Sequence, residues 1–244
     1  MPRGQRLHLT ADKSALHAVQ TASKEVSAMS KYRIMYSQGD EVRFISHLDF
    51  LRTIVRTFRR AGLPVKYSEG FNPHMVMTIG LPLSVGTTSC CDCLEVELTE
   101  DVDIPSAIES INRCTPRGIR VLGMKESAGL TPMYNIDSAQ YTASFTSDRE
   151  INIDEYIACP EVMIEKKSKR KINEVNIKDF IRSIDVQNQD GNCYVLKLHL
   201  NAGNVSNLKP ELVLRSMEDY FKAVFTDIKI ERTGIYFEDM SPVF

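Results

Sequence analysis

Residues 46–64 read SHLDFLRTIVRTFRRAGLP and carry the signals for the start, body and end of one helix. Ser46 and Asp49 have the spacing of a capping box, which satisfies free amides at a helix start. Gly62 and Pro64 are typical of a helix end. Between them, apolar side chains recur at steps of three and four, as on the buried face of an amphipathic helix: Leu48, Leu51, Val55 and Phe58. The sequence therefore predicts a helix over residues 47–61 that packs through this face.

The segments around this helix alternate between extended and helical patterns. An extended run over residues 31–44, broken by a turn at 38–40, precedes it. The segments that follow it are three extended runs, a helix and a closing strand, at residues 65–67, 75–79, 93–98, 104–113 and 119–125. This β-α-β-β-α-β order is that of a ferredoxin-like unit.

A similar order returns in the second half of the chain. Residues 129–138 have loop composition and are predicted to be a linker. After them come four further strands or extended runs, two helices and one last strand, at residues 141–146, 153–159, 161–167, 184–186, 194–200, 210–225 and 228–237, with a turn at 188–192. We expect an α+β protein with two ferredoxin-like units in tandem, at residues 30–128 and 139–244.

The first 29 residues are polar and stop where the patterned segment begins. We expect residues 1–29 to form a loosely ordered N-terminal extension. One hypothesis places the natural start of the protein at Met29.

Composition restricts the class of protein. The 244 residues are 43% hydrophobic, and 30 Lys and Arg against 32 Asp and Glu give a formal charge of −2. Any nucleic-acid surface must therefore be a local patch. The sequence contains no run of about 18 apolar residues, so no membrane-spanning helix is predicted. The first residues lack the apolar core of a secretory signal peptide. Six cysteines without a disulfide framework favour a reducing compartment, so we expect a cytoplasmic protein.

Six short motifs are distributed along the chain. They read FISHLD at 44–49, RRAGLP at 59–64, YSEGFNPH at 67–74, LPLSVG at 81–86, LEVELTE at 94–100 and NLKPE at 207–211. Together they resemble the family of radical SAM-linked proteins, the DUF2344 domain, over roughly residues 31–237. The resemblance implies no established activity. It implies an association with RNA or ribosome biology and, through fused members, with a radical SAM protein.

Two histidines and an aspartate are the candidate catalytic residues. His47 lies in the first helical turn, where the helix dipole keeps an imidazole neutral. With Asp49, Asn72 and His74 it would form a functional pocket, in which His47 and Asp49 are an acid–base pair. The alternative is structural: Ser46 and Asp49 cap the helix, Asn72 shapes a turn and His74 caps a strand end.

Two basic clusters are candidate contacts for RNA phosphates. Guanidinium groups suit this role because their paired N–H donors match phosphate oxygens. The first cluster follows helical spacing: Arg52, Arg56 and Arg59, with Arg60 beside them. The second is a predicted hairpin tip: Lys166, Lys167, Lys169, Arg170 and Lys171. Both clusters have a plain alternative as solvated surface. Tyr67 and Lys209 complete the candidate binding residues, and no aromatic-rich signature indicates that bases are read by stacking.

Two further motifs carry weaker predictions. CCDC at residues 90–93 has no second cysteine pair at zinc spacing, and the chain has no C-x-x-x-C-x-x-C for a radical SAM cluster, so we expect neither metal nor cofactor. NAGN at 201–204, followed by Lys209, would cradle a phosphate at a helix start, but it lacks the Walker spacing. A turn with a helix cap is the alternative.

Three functions are consistent with these observations. The first is an RNA- or ribosome-associated binding or accessory protein. The second is an enzyme acting on RNA or a nucleotide through His47 and Asp49, with His74 in the opposite wall. The third is a module that presents substrate to a radical SAM protein.

Overall fold

The structure is a computed structural model that describes residues 30–167 and 172–244. The predicted extension at residues 1–29, with the proposed start at Met29, lies outside the described residues. So does most of the basic tip, at residues 168–171. Within the described ranges the chain forms helices and a mostly antiparallel sheet, and the α+β class is confirmed.

The first half contributes four strands and two helices. They are β1 (Ser30–Gln38), α1 (His47–Arg60), β2 (Met77–Ile79), β3 (Thr87–Leu98), α2 (Ile104–Cys114) and β4 (Ile119–Glu126). Their order across the sheet is β4-β1-β3-β2, and every neighbouring pair is antiparallel.

The second half repeats this arrangement with one insertion. Its elements are β5 (Ile136–Ser147), α3 (Ile153–Ala158), β6 (Met163–Lys167), β7 (Ile172–Asn176), β8 (Ile181–Asp190), β9 (Cys193–Asn201), α4 (Pro210–Phe221) and β10 (Phe225–Phe237). The order across the sheet is β10-β5-β9-β8, again antiparallel. Strands β6 and β7 form a separate two-stranded hairpin between α3 and β8.

The two halves share one sheet. Strand β10 pairs in parallel with the start of β3 over three residue pairs, from Ile230 opposite Thr87 to Arg232 opposite Ser89. Strand β2 uses the same edge of β3 further along, between Leu94 and Val96. The result is a single eight-stranded sheet in which β3 contacts strands of both halves.

Side chains alternate between the two faces of the sheet, as the period of a strand requires. In β1, Tyr32, Ile34 and Tyr36 are buried in one core with α1 and α2. The intervening Arg33 and Met35 face the other side, where Met35 packs against the core of the second half.

The rotation of α1 differs from the prediction. Its buried residues are Phe50, Ile54, Thr57 and Phe58, whereas the predicted face began with Leu48, whose side chain is 62% exposed. Both sets fit a helical period. The Phe50 ring stacks on Tyr36 at 5.2 Å between centroids, and this contact selects the face that meets the sheet.

Several boundaries also differ from the prediction. Strand β1 ends at Gln38, because a 3-10 helix (Asp40–Val42) follows it. Strand β5 begins at Ile136, inside the segment predicted to be a linker. Helix α4 ends at Phe221, since Lys222 adopts a left-handed conformation with φ 52° and a new strand starts at Phe225. The predicted turn at 188–192 is shorter, because β8 continues to Asp190.

A buried ion pair links the two halves on the helix-bearing face. The Arg232 side chain in β10 is 2% exposed, and its Nη1 donates to Asp92 Oδ1 in β3 at 2.8 Å. The same guanidinium donates to the carbonyl oxygens of Leu81 and Pro82. Asp92 also accepts from Gln38 Nε2 at 2.8 Å, so the buried carboxylate is well satisfied.

A second buried ion pair lies on the opposite face of β3. Arg33 donates through Nε and Nη2 to Glu95 Oε1 at 3.0 and 2.6 Å, and Lys31 forms an ion pair with the other oxygen. Arg33 further donates to the carbonyl oxygens of Thr131 and Val243 at 2.6 and 2.8 Å. This one side chain therefore holds the segment between the halves and the C-terminal segment against the sheet.

Replacing Asp92 is expected to destabilise the whole chain. Asp92→Asn leaves the buried Arg232 charge without its counter-ion, and breaking such a pair costs about 3–5 kcal/mol. Urea denaturation should show a lower midpoint, whereas the exposed control Asp219→Asn should unfold like the parent chain. Equal midpoints for Asp92→Asn and the parent would contradict this role of the pair.

The Arg33–Glu95 pair is expected to make stability sensitive to acid. Burial raises the pKa of Glu95, but hydrogen bonds from Lys31 and Arg33 outweigh it, and the pKa lies below its ordinary value. A lowered pKa stabilises the fold above the unfolded-state value of about 4.3, and this contribution is lost as pH falls through the folded value. The difference in unfolding free energy between the parent and Glu95→Gln should therefore be large at neutral pH and shrink below about pH 4. The exposed control Glu109→Gln should show no such trend, and a constant difference for Glu95→Gln would refute the assignment.

Candidate nucleic-acid interface

The start of α1 is capped as the motif suggests. Ser46 Oγ accepts from the Asp49 amide at 3.2 Å and donates to Asp49 Oδ2 at 2.8 Å. Asp49 Oδ1 accepts from Arg52 Nη1 at 2.9 Å. The hydrogen bonds from Ser46 and Arg52 lower the pKa of Asp49, so its carboxylate is ionised and both of its oxygens are occupied.

His47 lies on the surface beside this cap. Two residues separated by two positions on a helix do not face each other, so His47 and Asp49 diverge. The enclosed space next to His47, between Tyr36, Phe50 and Ile79, has a volume of about 10 Å³. A space of this size holds about one water molecule, and a nucleotide would have to bind outside it.

His74 and Asn72 lie in an exposed loop that closes on itself. His74 Nδ1 is 2.8 Å from Ser68 Oγ, and the His74 amide donates to the same oxygen at 3.1 Å. The Ser68 amide donates back to the His74 carbonyl at 2.8 Å. In the described part of the chain, no hydrogen bond joins this loop to His47 or Asp49. The four residues of the predicted pocket are therefore not linked to one another across the two segments.

The exposed face of α1 is basic. Arg52, Arg56 and Arg59 are exposed and follow one another at steps of four and three, which places them on one side of the helix. Arg59 Nε donates to the Tyr67 hydroxyl at 3.0 Å, and its guanidinium lies 5.7 Å from the centre of the Tyr67 ring. Among the described residues, Arg56 has no hydrogen-bond or ion-pair partner. We call Arg52, Arg56, Arg59 and Tyr67 the α1 surface.

Arg60 has a different role from its neighbours. Its Nη2 donates to the Cys114 carbonyl at the end of α2, at 3.0 Å. This bond ties the two helices together, so Arg60 is not counted in the α1 surface.

Exposed aromatic side chains lie close to the α1 surface along the chain, and they were not predicted from the sequence. Phe44, three residues before α1, is 69% exposed, and the Arg43 guanidinium lies 4.6 Å from its ring centre. Phe71 in the loop after Tyr67 is fully exposed. The available signal for Phe44 was Arg43 directly before it, whereas Phe71 has no arginine beside it, and sequence alone does not separate exposed from buried rings.

The second basic cluster lies on the β6–β7 hairpin. Lys166 and Lys167 are the last residues of β6, opposite Asn173 and Ile172 of β7. Lys169, Arg170 and Lys171 lie outside the described residues. Their contact with phosphate stays a prediction.

The loop before α4 is built as a tight turn. A side chain at Gly203 would place its Cβ 2.1 Å from the Ile136 carbonyl oxygen, and φ there is +137°. Lys209 is exposed at the helix N-cap and makes no capping hydrogen bond through its side chain. The adjacent cavity of about 580 Å³ is lined by the carboxylates of Asp137, Glu238 and Asp239. Asp137 is ion-paired with Arg182, and the negative charge of Glu238 and Asp239 disfavours a phosphate in that cavity.

The cysteines of the CCDC motif lie in β3. Burial raises the pKa of Cys93 to about 12 and raises that of Cys91 further, so both thiols stay protonated near neutral pH. Protonated thiols are poor metal ligands. In residues 30–167 and 172–244, no three His, Cys, Asp or Glu side chains are grouped to hold a metal ion.

A known protein family matches most of the chain. The model of a family described as an uncharacterized protein conserved in bacteria (DUF2344) matches residues 31–210, most of the sequence. The chain belongs to the DUF2344 family. No curated protein matches the DUF2344 chain. No helix in its described part is long and apolar enough to cross a membrane.

The solved structures similar to the DUF2344 chain include one from a crystal structure of a Cbf5-Nop10-Gar1 complex. It is 12% identical, with a TM-score of 0.41, and the match covers 84% of this chain. The match covers 48% of the neighbour, so the DUF2344 chain spans about half of that protein's length.

Removing the cap hydroxyl should change the titration of Asp49. Ser46→Ala deletes the hydrogen bond that contributes most to the lowered pKa of this carboxyl. We expect the Asp49 pKa to rise toward its ordinary value in an NMR titration of the carboxyl carbon. Asp103, the N-cap of α2, accepts from the Ser106 amide and hydroxyl, so its pKa serves as an internal control and should not change. An unchanged Asp49 pKa would show that another group governs it.

Proposed function

We propose that this DUF2344 protein is an RNA- or ribosome-associated binding protein, an accessory to RNA processing or modification. In this proposal the α1 surface holds successive RNA phosphates. The supporting observation is the row of three exposed guanidinium groups on one side of α1, of which only Arg52 forms an ion pair with another described residue.

The charge distribution supports a local binding surface. From Arg43 to Lys66 the chain has six basic residues and one acidic residue, which gives 6 − 1 = +5, while the whole chain has a formal charge of −2. A concentrated positive region on a nearly neutral protein attracts a polyanion to one place. Guanidinium groups are also suited to phosphate, because two N–H donors meet two oxygens.

The geometry favours binding over acid–base catalysis. Asp49 is ionised and held by Ser46 and Arg52, so its oxygens are not aimed at His47. His74 is engaged by Ser68 within its own loop. In an enzyme that used these residues, the Asp49 carboxylate would have to leave Ser46 and Arg52, and the His74 imidazole would have to leave Ser68.

We also infer that the two halves are tandem ferredoxin-like units joined edge to edge. Each half has two helices, and in each the last strand lies beside the first, followed by the third and the second. In the second half the β6–β7 hairpin interrupts the pattern before β8. In such a fold α1 belongs to the first unit and the β6–β7 hairpin to the second, so only an extended RNA would reach both.

Neutralising the α1 surface is expected to weaken RNA binding. A triple variant with Arg52→Gln, Arg56→Gln and Arg59→Gln removes up to three phosphate contacts. For a single strand, the slope of log K against log salt concentration should become shallower by about 2, at roughly 0.7 per phosphate. Fluorescence anisotropy with labelled ribosomal RNA fragments over a salt series measures both the affinity and the slope.

A control with the same charge change separates local contacts from overall charge. Lys197→Gln, Arg215→Gln and Lys229→Gln also remove three positive charges, but from the second half of the chain. This variant should keep the parent slope. Equal losses of RNA affinity in both variants would show that the effect depends on net charge and not on the α1 surface. If the parent chain binds no RNA, the proposal is refuted and a protein partner is favoured.

A further inference from the structure

The ends of α1 repeat one arrangement of side chains. Before the helix, the Arg43 guanidinium lies 4.6 Å from the ring centre of Phe44. At the other end, the Arg59 guanidinium lies 5.7 Å from the ring centre of Tyr67. Each end therefore carries an arginine beside an aromatic ring, and Arg43 also forms an ion pair with Asp40 at 3.3 Å.

These aromatic rings are accessible. Phe44 is 69% exposed, Tyr67 is 37% exposed and Phe71 is fully exposed. Apolar rings of this size in water gain free energy when a flat partner covers them, and an exposed apolar patch often marks a contact surface. Leu48, 62% exposed and one helical turn before Arg52, extends the apolar part of the patch.

We propose that the RNA held by the α1 surface is single-stranded, with unpaired bases stacked on Phe44 and Phe71. This inference rests on the proposed function and specifies its ligand. Stacking of bases on aromatic rings, together with cations along the backbone, is how proteins hold single strands without reading sequence.

The dimensions of α1 are consistent with a short strand. Its 14 residues rise by about 1.5 Å each, which gives about 21 Å between its ends. At about 3.4 Å per nucleotide in a stacked strand, this length corresponds to about six nucleotides. The three arginines between the aromatic ends would then contact the intervening phosphates.

A duplex does not satisfy the same groups. Its bases are stacked on each other and paired, so they cannot cover a protein ring without first being unpaired. An acidic protein segment would pair with the arginines, but it supplies no flat partner for Phe44 or Phe71. The combination of exposed rings and guanidinium groups is therefore matched by an unpaired strand.

The experiment compares two RNA probes and two protein variants made in the full chain. The probes are an unstructured single-stranded RNA and a hairpin duplex with the same number of phosphates, and a 2-aminopurine in the single strand reports stacking. The test variant combines Phe44→Ala and Phe71→Ala. Its matched control combines Tyr134→Ala, in the segment between the halves, and Val205→Ala, in the second half, whose side chains are 69% and 102% exposed.

We expect the parent chain to bind the single strand more tightly than the duplex and to quench 2-aminopurine. The test variant should lose about tenfold in affinity for each ring removed, with an unchanged salt slope because no charge is altered. The control variant should bind like the parent. All four substitutions are at exposed positions, so circular dichroism should show folded proteins.

The contrary outcomes are distinguishable. Equal affinity for both probes, with no loss in the Phe44 and Phe71 variant, overturns the single-strand inference. The RNA proposal still stands in that case if the arginine variant binds more weakly and with a shallower salt slope than the parent. Tight binding of poly-glutamate that does not depend on Phe44 assigns the surface to an acidic protein and overturns both. No binding of either RNA by the parent chain also overturns both.

Discussion

Strand β3 carries a carboxylate on each face of the sheet, and both halves of the protein depend on these two groups. Asp92 faces the helices and binds Arg232 of β10, whereas Glu95 faces the other side and binds Arg33 of β1. Because three positions separate them on a strand, they must point in opposite directions. The parallel contact between β3 and β10 spans three residue pairs. The charged side chains extend this short contact into the layers above and below the sheet, where Arg232 reaches the loop after β2 and Arg33 reaches the C-terminal segment.

The packing of α1 explains why the arginines of the α1 surface are exposed to solvent. Helix α1 is held from its inner side by Phe50, Ile54 and Phe58, and from its start by Ser46. Its outer arginines contribute little to this packing, since an exposed ion pair such as Asp49–Arg52 is worth little in water. Stability and surface charge therefore reside on different faces of one helix. Substitutions at the arginines can change binding without changing the fold.

The sequence predicts the elements well and their contacts poorly, for physical reasons. Ser46, Gly62 and Pro64 act locally, so the limits of α1 follow from residues near its ends. Its rotation does not, because Leu48 and Phe50 both fit a helical period and only the contact with Tyr36 distinguishes them.

The two buried ion pairs could not be predicted from the sequence for a related reason. Asp92, Glu95, Arg33 and Arg232 look like surface charges in sequence, and their burial depends on partners up to 210 positions away. For the candidate site, the arginine row followed from helical spacing, while the exposure of Phe44 and Phe71 required the positions of the surrounding loops.

The distribution of charge in the folded chain bears on how a ligand would approach. Buried charges in β3 are fully paired within the protein, so they add little field outside it. The carboxylates around the cavity before α4 give that end of the second half a negative character. Positive charge is thus concentrated near α1 although the chain as a whole is slightly acidic. A polyanion would be attracted to α1 and repelled from the acidic cavity, and this contrast orients it before any specific contact forms. The exposed rings at the two ends of α1 would then act at short range, after the charges have selected the place.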